Sequence, residues 1–224
     1  MQTTEYQFDL SGGIACLDFV NTISDRDLPV PREHVNRYDD LIAFAHQAGL
    51  VSDELAAGLR AEAARQPEGA EATRRRALAL REALFRVFTT VATEGAPPAD
   101  DLAHLNREMS AALAQLRVDR REGNRPALGP GVRNGDDEDA GAYGWAWAEP
   151  ASRLDAPLWP LVRQAAELLV GADLKRVREC AASDCGWLFL DTSKNHSRRW
   201  CDMKSCGNRA KVRRFYRRKR DVQA

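Results

Sequence analysis

An α+β chain is predicted, with a mainly helical N-terminal domain carrying a small β-hairpin or sheet and a short C-terminal module organised by four cysteines. Three observations predict it. Apolar residues recur at helical spacing from about residue 39 to 116 and again from 157 to 171. Between them lies a Gly, Pro and Asn-rich stretch in which Tyr143, Trp145 and Trp147 alternate with small residues. The last quarter holds two Cys-x4-Cys pairs, Cys180/Cys185 and Cys201/Cys206. With 224 residues, 44% of them hydrophobic, the chain supports one sizeable core plus an appendage too small to close a core of its own. Gly171-Ala172-Asp173 marks the expected boundary, giving domains 1–172 and 173–224.

In chain order, residues 6–10 alternate like a short strand and Ser11-Gly12-Gly13 turns. Cys16, Phe19, Val20 and Ile23 then fit a helix better than an alternating strand. Asp39 and Asp40 are expected to cap a helix ending at Gly49, Ser52 to open a second, and Pro67 with Gly69 to break it. A long helix follows through Leu78, Leu84, Val87 and Val91, with Arg74, Arg75, Arg76, Arg81 and Arg86 mostly outward. Pro97-Pro98 and Asp100 start another, carrying Leu102, Leu105, Met109, Leu113 and Leu116. Residues 118–150 are read as a hairpin, with the acidic run Asp136 to Asp139 as turn chemistry or, alternatively, a cation site. Pro157 opens a final amphipathic helix that stops near Gly171. Cys16, in apolar company, reads as a core residue rather than a reactive thiol.

Paired thiolates presented by tight turns suit a tetrahedral ion at Zn–S distances of about 2.3 Å. A knuckle at Cys180–Cys185 after a strand-like segment 174–178, a strand over 187–190, a returning strand over 199–201 and a helix beginning near the last cysteine make a treble clef. Four thiolates close the coordination sphere, so Zn2+ here is structural; His196, five residues before Cys201, is a rival ligand. Five cysteines with four at ligand spacing fit a reducing compartment. No run of about 20 apolar residues and no leader-like N-terminus accompanies them, so a cytoplasmic protein without a membrane partner is expected.

The zero net charge conceals a division. Residues 175–220 hold fifteen Lys and Arg against four Asp and Glu, a formal +11, while residues 1–174 carry −10. Such asymmetry points to a polyanion partner for the basic end. On the C-terminal helix, Val212, Phe215 and Tyr216 are expected to face the knuckle, leaving Lys211, Arg213, Arg214, Arg217 and Arg218 around Ala210 on the outer arc. Arg198, Arg199 and Lys204 extend the patch. Arginine's planar fork suits phosphate and guanine, so DNA is the first reading, and RNA or a ribosomal site through the same patch is the second. The acidic segment would then sense a small-molecule effector or form a homodimer; docked on the basic end, it would mask that patch. No nucleophile and base pair, Gly-rich phosphate loop or His and carboxylate cluster supports an enzyme.

Cys206-Gly207-Asn208-Arg209 at the last ligand pair resembles the CGNR zinc finger, named for that tetrapeptide. Gly12-Gly13 followed by Leu17-Asp18-Phe19-Val20-Asn21-Thr22 resembles the start of the ABATE domain that precedes it. The resemblance implies a bacterial family described as stress-induced transcription regulators, with an α/β N-terminal domain and a treble-clef finger. It implies Cys180, Cys185, Cys201 and Cys206 as zinc ligands, and Asn208 and Arg209 as motif positions. Asp18 and Asn21 in the N-terminal signature either bind loop backbone or line an effector pocket.

Overall fold

The computed structural model describes residues 6–26, 28–120 and 142–223. Among them α1 is Ala15–Val20, α2 Tyr38–Gln47, α3 Asp53–Arg65, α4 Pro67–Ala92, α5 Ala99–Leu113, α6 Leu158–Val170 and α7 Asn208–Gln223. Three antiparallel two-stranded sheets pair β1 (Ile23–Ser24) with β2 (Arg32–Glu33), β3 (Leu116–Arg120) with β4 (Tyr143–Trp147), and β5 (Val177–Glu179) with β6 (Leu188–Leu190). The mixture of helices and small sheets is the α+β class that the periodicity predicts.

Local chemistry sets the helix ends, with small shifts from expectation. Asp39 and Asp40 lie in the first turn of α2, and Asp40 Oδ2 accepts from the N–H of Arg37 at 2.8 Å and of Asn36 at 2.9 Å. Gly49, at φ 69°, ends α2 in a left-handed turn where the N–H of Leu50 donates to Ala45 O at 2.8 Å. Ser52 Oγ caps α3 by accepting from the Leu55 N–H. The break predicted at Pro67 falls one residue earlier, at Gln66. Pro67 opens α4, where its missing N–H has no helical partner to lose.

The expected strand over residues 6–10 is not formed. That segment runs along α2, and the Gln47 side chain takes the place of a strand partner, accepting from Phe8 N–H and donating to Tyr6 O. Helix α1 stops at Val20 instead of reaching Ile23, which pairs in β1. Leu116 begins β3 rather than ending α5, and Leu113 is exposed. The hairpin forms with Leu116 opposite Trp147 and Val118 opposite Trp145; Trp147 packs against Trp159 of α6 at 5.4 Å. The acidic run 136–139 lies outside the described residues.

Helix α4 is the spine, about 39 Å long at 1.5 Å per residue, and touches α1, α2, α3, α5, β5 and β6. One core group gathers Phe8, Phe19, the α2 and α3 residues Leu41, Phe44 and Leu59, and Trp159. A second gathers Cys16, Leu17, Leu84, Phe88, Val162, Val177, Leu188 and Leu190. Cys16 is therefore a packed core thiol, and burial pushes its pKa well above the ordinary thiol range.

One arginine reverses its expected position. Arg81 is 2% exposed. Its guanidinium donates to both Glu33 oxygens at 2.7 and 2.6 Å and to Thr22 Oγ1 at 3.1 Å, pinning β2 and the end of α1 to the spine. The pattern 74, 75, 76, 81, 86 looked like one solvated stripe because sequence does not show which helix face the β1–β2 hairpin covers. Arg76 and Arg86 stay nearer the surface and bind Glu108 and Asp101 of α5.

Candidate metal centre and nucleic-acid interface

Strand β6 explains how the cysteine module sits on the helices. Side chains alternate across a strand, so Leu188 and Leu190 enter the helical core while Phe189 packs against the four cysteines. All three are buried. One edge of β6 pairs with β5, and the other is completed from the N-terminal signature. The Asn21 amide donates to Leu188 O at 2.8 Å and accepts from Leu188 N–H at 2.9 Å, standing in for a neighbouring peptide. Leu190 N–H donates to Gly12 O at 2.7 Å. Asp18 Oδ1 accepts from Gly12 N–H at 2.7 Å and so holds that loop. Burial raises the Asp18 pKa to about 7 against the lowering effect of the Gly12 N–H. Trp187 Nε1 donates to Ile23 O, and Arg198 donates to Ser11 O.

Asp18 and Asn21 thus bind backbone, as the first of their two readings held. Neither lines the open cleft between the β1–β2 hairpin and the module, which Asp25, Arg32, Asp184, Trp187 and Arg209 border together with Cys185, Cys201 and Cys206. Substituting Asn21 by Ala is expected to strand the Leu188 N–H and C=O. The cost is about 2 kcal/mol of stability, and denaturant titration beside the parent protein measures it.

The four cysteines converge. Cys180 and Cys185 come from the turn after β5. Cys201 precedes a wide helical turn, Met203–Gly207, which supplies Cys206. Each has a sulfur within 4.8 Å of the others, all are buried, and none forms a disulfide. Tetrahedral zinc at about 2.3 Å from each sulfur requires S···S separations of about 3.8 Å. The Cys185–Cys201 and Cys201–Cys206 pairs stand at 3.6 Å. The donors fit a closed, structural zinc site with no position left for substrate. His196 is not in the cluster; it is exposed, at φ 48°. The expected strand over 199–201 is absent; the segment is held by the Ala181 N–H donating to Arg199 O, the Cys201 N–H donating to Cys180 Sγ, and the Arg198 guanidinium donating to Trp200 O and Cys201 O.

The tetrapeptide after the last ligand has a physical account here. A Cβ on Gly207 would stand 2.9 Å from Met203 Sδ, a contact that the exposed, flexible Met203 side chain can relieve by moving. The Asn208 side chain donates to Lys204 O at 2.9 Å and joins α7 to the ligand turn. Arg209 donates to Cys206 Sγ at 3.0 Å, compensating the excess charge of a four-thiolate zinc site. Two acids missed from sequence complete the arrangement. Asp202 Oδ2 accepts from Ser205 N–H at 2.7 Å, a cap whose signal was an Asp immediately before the turn. Asp184 binds Arg213 at 2.6 Å, and the Arg213 guanidinium holds its carboxyl below the usual carboxylate range.

These contacts rotate α7 relative to the expected face. Arg209 and Arg213 turn toward the knuckle, whereas Val212, Phe215 and Tyr216, expected to pack there, are exposed. The Asp184 carboxylate, which both arginines approach, and the Cys206 sulfur beside Arg209 occupy the face where the aromatics were expected. Of the candidate nucleic-acid contacts, Arg198 donates to Trp200 O and to Ser11 O of the N-terminal loop, and Asn208, Arg209 and Arg213, although exposed, make side-chain contacts within the module. Arg199, Lys204, Lys211 and Arg214 are exposed. The side chains of Arg217 and Arg218 lie outside the described set, although α7 includes both residues. The module docks on the helical domain through β6, so the basic helix is not the docked face. No helix among the described residues is long and apolar enough to cross a membrane.

Residues 176–219 match the family model of the CGNR zinc finger. Residues 13–172 match that of the ABATE domain, described as "Putative stress-induced transcription regulator". No curated protein matches the chain. With matched segments that meet along β6 and a four-cysteine centre that fits structural zinc, the chain belongs to the ABATE family, whose model carries that description, joined to a CGNR zinc finger.

Proposed function

We propose that this regulator binds DNA through α7, with the zinc module holding that helix at a set angle on the ABATE domain. The carrying observation is the exposed cationic side of α7. The helix has eight Lys and Arg against one acid, Asp221. Two of its arginines are committed to Asp184, and Lys211 and Arg214 face solvent one helical turn apart. Arg199 and Lys204 flank its start. Lysine and arginine arrayed on a protruding helix neutralise phosphates and release counterions, which makes affinity fall with salt. The family's regulatory description supports the same partner.

Anisotropy of a labelled duplex against salt concentration tests the proposal. Binding is expected to weaken with a log-log slope of about −0.9 per phosphate neutralised. Lys211→Ala and Arg214→Ala are each expected to lower the slope by about 1 with zinc content unchanged. A salt-insensitive interaction, or none with either the duplex or its separated strands, would overturn the reading. A structured RNA that displaces the duplex at one ionic strength would move it to RNA.

A further inference from the structure

Sequence periodicity assigned Val212, Phe215 and Tyr216 to the buried side of α7, yet they stand 54%, 63% and 60% exposed. The two rings lie edge to face at 5.6 Å. They are not an isolated apolar patch, because Lys211, Arg214 and Lys219, all exposed, surround Phe215 along the helix. From Lys211 to Lys219 the helix rises about 12 Å, comparable to three or four stacked nucleotides of one strand. A second copy of this chain is a poor occupant: two helices each bearing eight cations and one acid repel each other. Aromatic faces interleaved with cations are what an unpaired strand uses, bases stacking on rings while phosphates meet Lys and Arg. Duplex DNA buries its base faces in its own stack and offers the rings no such contact.

We infer that Phe215 and Tyr216 are base-stacking residues, and that α7 takes unpaired nucleotides of a DNA strand rather than closed duplex. The inference rests on the proposed DNA-binding reading and specifies its substrate. Stacking is tolerant of sequence, so discrimination is between open and paired DNA rather than among bases.

The test uses full-length, zinc-loaded protein and anisotropy of three labelled DNAs at one ionic strength: a mixed-sequence single strand, its duplex, and the same single strand with abasic sites. The single strand is expected to bind more tightly than the duplex, and removal of its bases to weaken binding roughly tenfold or more. The double variant Phe215→Leu, Tyr216→Leu keeps apolar bulk and helix propensity at exposed positions. It is expected to lose that margin, binding intact and abasic strands alike, with an unchanged salt slope and full zinc content. Equal binding of intact and abasic strands by the parent protein, or a double variant that still distinguishes them, would overturn the stacking role while leaving phosphate binding in place. Failure of all three DNAs to bind would overturn the underlying reading instead. An RNA strand of the same sequence that binds ten times more tightly would overturn the assignment to DNA.

Discussion

Removing zinc is expected to unfold the C-terminal module and to loosen the helical domain with it. Structural zinc contributes roughly 10–16 kcal/mol in small modules, as much as the whole stability of a typical protein, about 5–15 kcal/mol. The module has little else to hold it: its own apolar group consists of Phe189 with the cysteines, flanked by Ala182, Trp187 and Trp200. The loss should spread because β6 is shared. Leu188 and Leu190 belong to the helical core, and each fully buried leucine is worth about 1.5–3 kcal/mol. Chelator titration followed by circular dichroism checks this: the near-ultraviolet signal sums Trp187 and Trp200 beside the cysteines with Trp147 and Trp159 of the helical domain, while the far-ultraviolet signal follows the helices. The expected outcome is a lowered melting temperature for both signals. Cys201→Ser should reproduce it without chelator, and Cys16→Ser should leave metal content unchanged. A metal-free protein whose tryptophan signal and melting point match those of the loaded form would refute the coupling.

Arg81→Ala is expected to be strongly destabilising, on the scale of truncating a buried core side chain. It removes a guanidinium that is 3% exposed and leaves the Glu33 carboxylate without its two-pronged partner. Burial alone would push the Glu33 pKa up, but the Arg81 hydrogen bonds and charge outweigh it and hold the carboxyl below its usual range. Breaking one side of such a pair costs about 3–5 kcal/mol. The low end applies because Glu33 keeps 27% exposure. For a chain of this size about 3 kcal/mol corresponds to a fall in melting temperature of roughly 6–12 °C. Pairing Arg81→Met with Glu33→Leu should recover part of the loss, since an apolar pair of similar volume leaves no uncompensated charge. A shift of only a degree or two for Arg81→Ala would mean that the β1–β2 hairpin is held by other contacts. The hairpin also borders the cleft beside the module, so the same variant reports on whether that cleft needs the hairpin in place.

Much of this was legible in the chain because it depends on neighbours in sequence. Gly49 as a helix stop, Ser52 as a cap, the α6 apolar stripe and the two cysteine pairs all act over a turn or less, where residue type and spacing carry the physics. The tetrapeptide at the last ligand and the signature after Gly12-Gly13 likewise identified the family from contiguous residues. The reasons those residues are used were not legible. Asn21 satisfies a strand 167 positions away, and nothing near it in sequence announces a missing strand partner.

The sequence by itself determined the α+β class, the helices of the N-terminal segment, the hairpin, the zinc ligands and the basic helix, because local propensity, alternation and thiolate spacing need no long-range information. Only the tertiary structure decided which face of each element is covered. It buried Arg81 among arginines that read alike and turned Arg209 and Arg213 toward the metal site in place of Phe215 and Tyr216. It also used both sides of β6 as the seam between the helices and the zinc. A side chain's face on a helix follows from periodicity, but its environment depends on what packs there, and packing is set by charge and shape brought from distant parts of the chain.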